Sequence, residues 1–220
     1  DLPKDQILYQ DLKFLENHFG GVMPLEVLVD TRKKQGLLKT YNLRKIDKLT
    51  DILATYPEFS RPISYIDIIK YSKQAFYNGD SSYYSLPNSQ EKALVLSYLK
   101  NSTNNLGFGD FLLDSSNQVA RVSLRMADIS TSKMDSIFKE LTPQINNIFD
   151  PDKYDVTITG SSIVFLNGTK FLLRNLLLSL FLVIVLISLF MAWMFNSFRM
   201  VIISIIPNII PLLLLSLIHI

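Results

Sequence analysis

The chain contains no cysteine in 220 residues and only two histidines, His18 and His219, at opposite ends of the sequence. The first absence excludes disulfides, thiol catalysis and cysteine-based metal sites, and assigns no compartment. The second argues against a histidine-based metal or catalytic cluster. Acidic residues are missing altogether from Phe171 to Ile220, where Arg174 and Arg199 are the only charges. A basic excess is missing too. Lys170, Arg174 and Arg199 take three of the 22 Lys and Arg, leaving 19 against 20 Asp and Glu upstream, a net charge of −1. That balance provides no field for a nucleic-acid partner. There is no nucleophile–base pair, no glycine-rich phosphate loop and no metal-ligand spacing. The expectation is a protein that is not an enzyme and uses no cofactor.

The acid-free end is almost wholly apolar. Leu176–Phe195 is about 20 residues long, enough to cross a hydrocarbon core as a helix. A polar hinge, Asn196-Ser197-Phe198-Arg199, follows, and a second apolar run occupies 200–220. So short a hinge predicts an antiparallel helical hairpin, with Arg199 at a membrane surface and Trp193 as an interfacial anchor. The sequence opens at Asp1 without an initiator Met and ends inside the second run. It reads as a piece of a larger membrane protein.

Residues 1–160 read as an α+β domain. Leu8, Leu12, Leu15 and Phe19 form one helix face, stopped by Gly20-Gly21. Leu25, Val27 and Val29 alternate as a strand after Pro24. Asn42 is placed to cap a helix bearing Leu43, Ile46, Leu49 and Ile52, ended by Pro57. Ser64-x-x-Asp67 has the form of a capping box opening a helix to about Tyr77, and a short helix is expected over 89–100. Phe111–Leu113 and Val119–Ala127 read as a hairpin around Asp114–Asn117. Ser132-x-x-Asp135 opens a helix with Met134, Ile137, Leu141, Ile145 and Ile148 on one stripe, and Pro143 is expected to kink or split it. Tyr154, Val156 and Ile158 alternate in a last strand ending at Gly160. Without a helical insert at about 58–107, the order is β-α-β-β-α-β, a split βαβ module with a four-stranded sheet.

The Phe19-Gly20-Gly21-Val22-Met23-Pro24-Leu25-Glu26 turn, Thr157-Ile158-Thr159-Gly160 leading towards a membrane helix, and Ser197-Phe198-Arg199 before Ile205-Ile206-Pro207-Asn208-Ile209-Ile210-Pro211 together carry a resemblance. The chain resembles the RND (resistance-nodulation-division) superfamily, in the branch of predicted lipid exporters that includes the MMPL and hopanoid-transporter types, and is nearest to the Bacteroidetes type. The resemblance covers essentially the whole sequence. It implies a ferredoxin-like porter domain over 1–160, a connector and first membrane helix over 161–195, the hinge 196–199, and a second helix over 200–220. It also implies proton-driven export of a lipid-like or hydrophobic substrate across the bacterial inner membrane, with residues 1–170 extracytoplasmic. Its partners are the bilayer, the remainder of the same polypeptide, and another subunit or periplasmic protein. The acid that carries protons in this family lies in a later helix, outside this sequence.

Two sets of residues are candidates for function. Pro207, Asn208 and Pro211 break the second apolar run, as a membrane hinge or as a static kink. Gly160, Ile163, Phe165 and Leu166 are candidates to couple the polar domain to the first membrane helix, with the three apolar side chains keeping the connection packed. Tyr77, Tyr83, Tyr84 and Tyr98 either line a lipid path or pack the insert. Gly20-Gly21 reads as a gate or, more simply, as a helix end feeding a strand. Two other functions fit the same composition: an extracytoplasmic sensor domain tethered to a membrane signalling protein, or a non-pumping RND relative that assists protein export.

Overall fold

The structure, a computed structural model, describes residues 6–103 and 111–195 (backbone only at 98–103 and 195) and the single positions Arg199, Ile203, Pro207 and Ile210. The chain divides into two compact units, Asp1–Leu166 and Asn167–Ile220.

The first unit contains α1 (Ile7–Phe19), β1 (Met23–Asp30), α2 (Thr40–Ala54), α3 (Tyr65–Phe76), α4 (Glu91–Thr103), β2 (Val119–Met126), α5 (Thr131–Ile148) and β3 (Asp155–Thr159). It also holds the first six residues of α6 (Ser161–Phe195). β1 lies at the centre of an antiparallel sheet of order β2-β1-β3. Val27 pairs with Val122 on one side and Ile158 on the other. Alternation therefore turns Leu25, Val27, Val29, Ala120, Val122, Leu124 and Met126 to one face, where all are buried. Leu43, Ile46, Leu49 and Leu53 of α2 are buried in the same core, as are Met134, Ile137, Leu141, Ile145 and Ile148 of α5. Each such side chain contributes about 1.5–3 kcal/mol by leaving water.

Local signals explain the helix ends. Ser64 and Asp67 form the capping box: Ser64 Oγ accepts the Ile66 N–H at 3.2 Å, and Asp67 Oδ2 accepts the Ser64 N–H at 2.9 Å. Two expected caps fall elsewhere. Ser130, not Ser132, caps α5, accepting the Lys133 N–H at 3.3 Å. Asn42 lies inside the first turn of α2 and is buried. It donates to the Gly36 carbonyl at 2.7 Å and accepts the Tyr154 hydroxyl at 2.7 Å. Pro143 does not split α5, which runs through it.

The expected four-stranded sheet has three strands among the described residues. Phe111 and Leu112 are helical, and only Leu113 bridges Ala120. The rest of the outer edge of β2 is taken by the start of the insert. Phe59 bridges Met126 and Ile63 bridges Ser123. The Ser60 N–H donates to the Arg125 carbonyl at 2.8 Å, Ser123 and Ile63 exchange bonds of 2.8 and 2.9 Å, and the Ala127 N–H donates to the Glu58 carbonyl at 2.9 Å. These bonds satisfy an edge that would otherwise be open to strangers.

In the second unit, α6 carries a segment long and apolar enough to cross a membrane, and none of that apolar window is buried. Among the described residues the helix is followed as far as Phe195. The hinge residues 196–198 lie outside the described residues, as does most of the second apolar run.

Candidate functional site: the strand-to-helix junction

β3 passes into α6 through one residue. Gly160 has φ +111°, a conformation that side-chain-bearing residues rarely adopt. A Cβ there would lie 2.7 Å from the Pro24 carbonyl oxygen and 3.1 Å from Leu25 Cα. Close approach of the β1 backbone therefore requires glycine. Helix α6 starts at once: the Ile163 and Val164 N–H groups donate to the Gly160 carbonyl at 3.1 and 3.2 Å. Fully buried Ser162 donates from Oγ to the Pro24 carbonyl at 2.7 Å. Leu166 is 4% exposed in the core, with Ile163 packed against it. The spacing 162, 163, 166 is the inward face of the first helical turns.

Of the four coupling candidates, Gly160, Ile163 and Leu166 come together at this junction. Phe165 does not. It is 57% exposed beside Val164 on the opposite arc of the helix, because one residue is a 100° turn. Ser162 takes the anchoring place expected of Phe165. The sequence signal for it was a serine one turn before a buried leucine, which is weak.

The start of β1 receives a second close contact. Gly21 has φ +135°, and a Cβ there would lie 2.6 Å from the Met126 carbonyl carbon and oxygen. Gly20 closes α1 in the left-handed conformation, donating to the Glu16 carbonyl. Helix end and strand entry thus account for both glycines. Since Met23 pairs with Met126 and Glu26 with Thr159, the chain enters at α1 and leaves at α6 by the same end of the sheet.

The candidate hinge is placed in part. Pro207 is helical and exposed; Asn208 and Pro211 lie outside the described residues. The tyrosines pack the insert. Tyr77 stacks on Tyr83 at 4.1 Å and donates to Glu91 at 3.1 Å. Tyr84 donates to Asp67 at 3.1 Å, and the Tyr98 side chain is outside the described residues. Lys73, 7% exposed, pairs with Glu91 at 2.9 Å and ties α3 to α4. The Asn88 N–H, then Lys73, hold the Glu91 carboxyl below its ordinary value. Arg121 and Arg125 lie over the rings of Phe111 and Phe19, at 5.0 and 5.6 Å, and Arg121 approaches Glu26 at 3.6 Å. Among the described residues no group of three or more His, Cys, Asp or Glu could hold a metal ion.

The chain matches no protein-family model, and no curated protein is similar to it.

Proposed function

We propose that the chain is a segment of a proton-driven RND-type transporter that exports lipid-like or hydrophobic substrates across the bacterial inner membrane. Residues 1–170 then lie on the extracytoplasmic side. The observation that carries this reading is the junction. Gly160 and Ser162 fasten the first turn of a potential membrane helix to the central strand β1, and Leu166 is buried in the core, with no intervening loop. A rearrangement of the sheet would reach that helix without slack, as alternating access requires. The order β2-β1-β3, with Leu113 bridging the far edge of β2, also supports a ferredoxin-like porter module whose remaining strand is cut to one bridge. In this reading Pro207, Asn208 and Pro211 absorb the bending.

The test is a flexible Gly-Ser insertion after Ser162 in the full-length protein, with efflux of the lipophilic dye Nile red as readout. The insertion should abolish efflux while membrane integration and the tyrosine circular-dichroism spectrum of the first unit persist. Unchanged efflux rejects mechanical coupling and leaves the polar unit a passive docking surface. Orientation is tested separately with cysteines at Ser116 and Ser197. An impermeant maleimide added outside should label only Ser116; labelling of both from one side rejects the hairpin.

A further inference from the structure

The two edges of the sheet are treated differently. The β2 edge is occupied: Ser123 exchanges its backbone bonds with Ile63, and the Arg125 carbonyl and N–H meet the Ser60 N–H and hydroxyl. Backbone groups alternate along a strand, so Val122 and Leu124 turn theirs to β1. Val27 and Leu25 answer them, which leaves Glu26 and Leu28 to bond β3 through Thr159 and Thr157. Val156 and Ile158 therefore turn their N–H and C=O groups away from the sheet. None of these groups has a partner among the described residues. The two side chains lie half-buried at the rim of the core. The edge also lacks the guards that keep strangers off. Asp155–Thr159 contains no proline, lysine or arginine, and its one charge, Asp155, stands at the end.

We propose that β3 is an interface at which a second copy of the chain adds its own β3, antiparallel, about a two-fold axis through Thr157. Three observations choose a second copy. First, the strand is nearly palindromic about Thr157, with a β-branched aliphatic residue on either side. The axis sets Val156 of one copy against Ile158 of the other. Every outward N–H of one copy then meets an outward C=O of its partner, and none is left over. The Val156 and Ile158 side chains extend the core across the joint, and the two Thr157 side chains pair on the open face. Second, charge selects this direction. Antiparallel pairing sets Asp155 opposite Thr159, whereas a parallel in-register pair would set Asp155 against Asp155, which destabilises. Third, the axis is perpendicular to the sheet and keeps the core faces of both copies on one side. Leu166 of α6 lies in that core. Both copies therefore begin α6 on the same side of the joined sheet, a condition that two copies in one bilayer must meet.

The experiment uses the absence of cysteine from these 220 residues. Single cysteines are introduced into the full-length protein in detergent, with any cysteine outside these residues replaced by serine, and oxidised with copper phenanthroline. Position 157 is exposed, so Thr157→Cys leaves the fold intact. It should convert most of the protein to a disulfide dimer, because opposed residues at such a site have Cα atoms about 4.5 Å apart, within disulfide range. Asp155→Cys alone should stay uncrosslinked, since the two copies of position 155 lie about 13 Å apart along the strands. Co-expressed Asp155→Cys and Thr159→Cys chains should cross-link to each other. A Thr157→Cys protein that yields no dimer overturns the proposal in either of two ways. If a water-soluble maleimide labels it, the edge is open to solvent; if the maleimide is excluded, a different segment or protein occupies the edge. Cross-linking of Asp155→Cys as extensive as that of Thr157→Cys also overturns it, since chance collision and parallel pairing both give that result. So does failure of the co-expressed pair, which removes the register.

Discussion

Helices α1 and α2 carry comparable apolar stripes and meet opposite fates. The stripe of α2 is submerged, with Leu43, Ile46, Leu49 and Leu53 at 1% exposure or less, whereas in that of α1 only Leu12 is half-buried and Leu8, Leu15 and Phe19 are exposed. The difference lies in the polar side chains. In α2 the buried Asn42 bonds inward to Gly36 and Tyr154, so its polar groups and its leucines agree about which way is in. In α1 the inward bond is made by Glu16 with Leu12 half-buried on the same side, and Leu8 and Leu15 are left exposed on its flank. A periodic stripe states that a helix has an apolar neighbour; which neighbour is decided by contacts that periodicity does not encode.

The contrast is easiest to break in α2. Leu49→Ala should cost about 2–5 kcal/mol of unfolding free energy, the range for a fully buried leucine, read by urea titration of the detergent-solubilised protein through tyrosine circular dichroism. Asn42→Ala should cost about 1–3 kcal/mol, because the Tyr154 hydroxyl and the Gly36 carbonyl lose their shared bridge in a buried place. A loss below a few tenths of a kcal/mol would mean that water replaces the amide. The tie of α1 should depend on acid. Lys13, and then the Asp128 N–H, hold the Glu16 carboxyl below its ordinary value. A depressed carboxyl contributes fully above the unfolded value of about 4.3 and stops contributing as pH falls through the folded one. The protection factors of the α1 amides, referred to the intrinsic exchange rate at each pH, should therefore fall below about pH 4 in wild type, and Glu16→Gln should show the lower protection already at neutral pH. The smallest effect belongs to Leu15→Ala in detergent, within about 0.5 kcal/mol of wild type; a loss as large as that of Leu49→Ala would place α1 in a protein core.

Elements with strict local periods were legible. The alternation Ala120, Val122, Leu124, Met126 specified a strand with one buried face, and the five residues of the α5 stripe are the five that α5 buries. The capping box of α3 was legible because its two bonds span three residues. What escaped reading depends on partners far along the chain. Phe59–Ile63, interrupted by Pro62, has no strand period, and only the edge of β2 some 60 residues later gives it one. Asn42 has the chemistry of a cap, and the loop at Gly36 and the ring of Tyr154 recruit it for another task. At the junction, Gly160, Ile163 and Leu166 were readable from the strand's end and the apolar run. Ser162 was not, since a serine gains its role only from the Pro24 carbonyl opposite.

The central position of β1 has a consequence for biosynthesis. This strand is made first among the three and pairs only with later ones, β2 beginning about ninety residues downstream of its end. At 5–20 residues per second, β1 waits roughly 5–18 s for its first neighbour. Throughout that interval Leu25, Val27 and Val29 have no strand to lie beside. The sheet closes with β3, one residue before α6. Completion of the polar unit and emergence of the apolar helix therefore fall within the same few seconds of synthesis, and a nascent chain stalled before Asp155 would leave the β3 edge of its oldest strand open to whatever holds it.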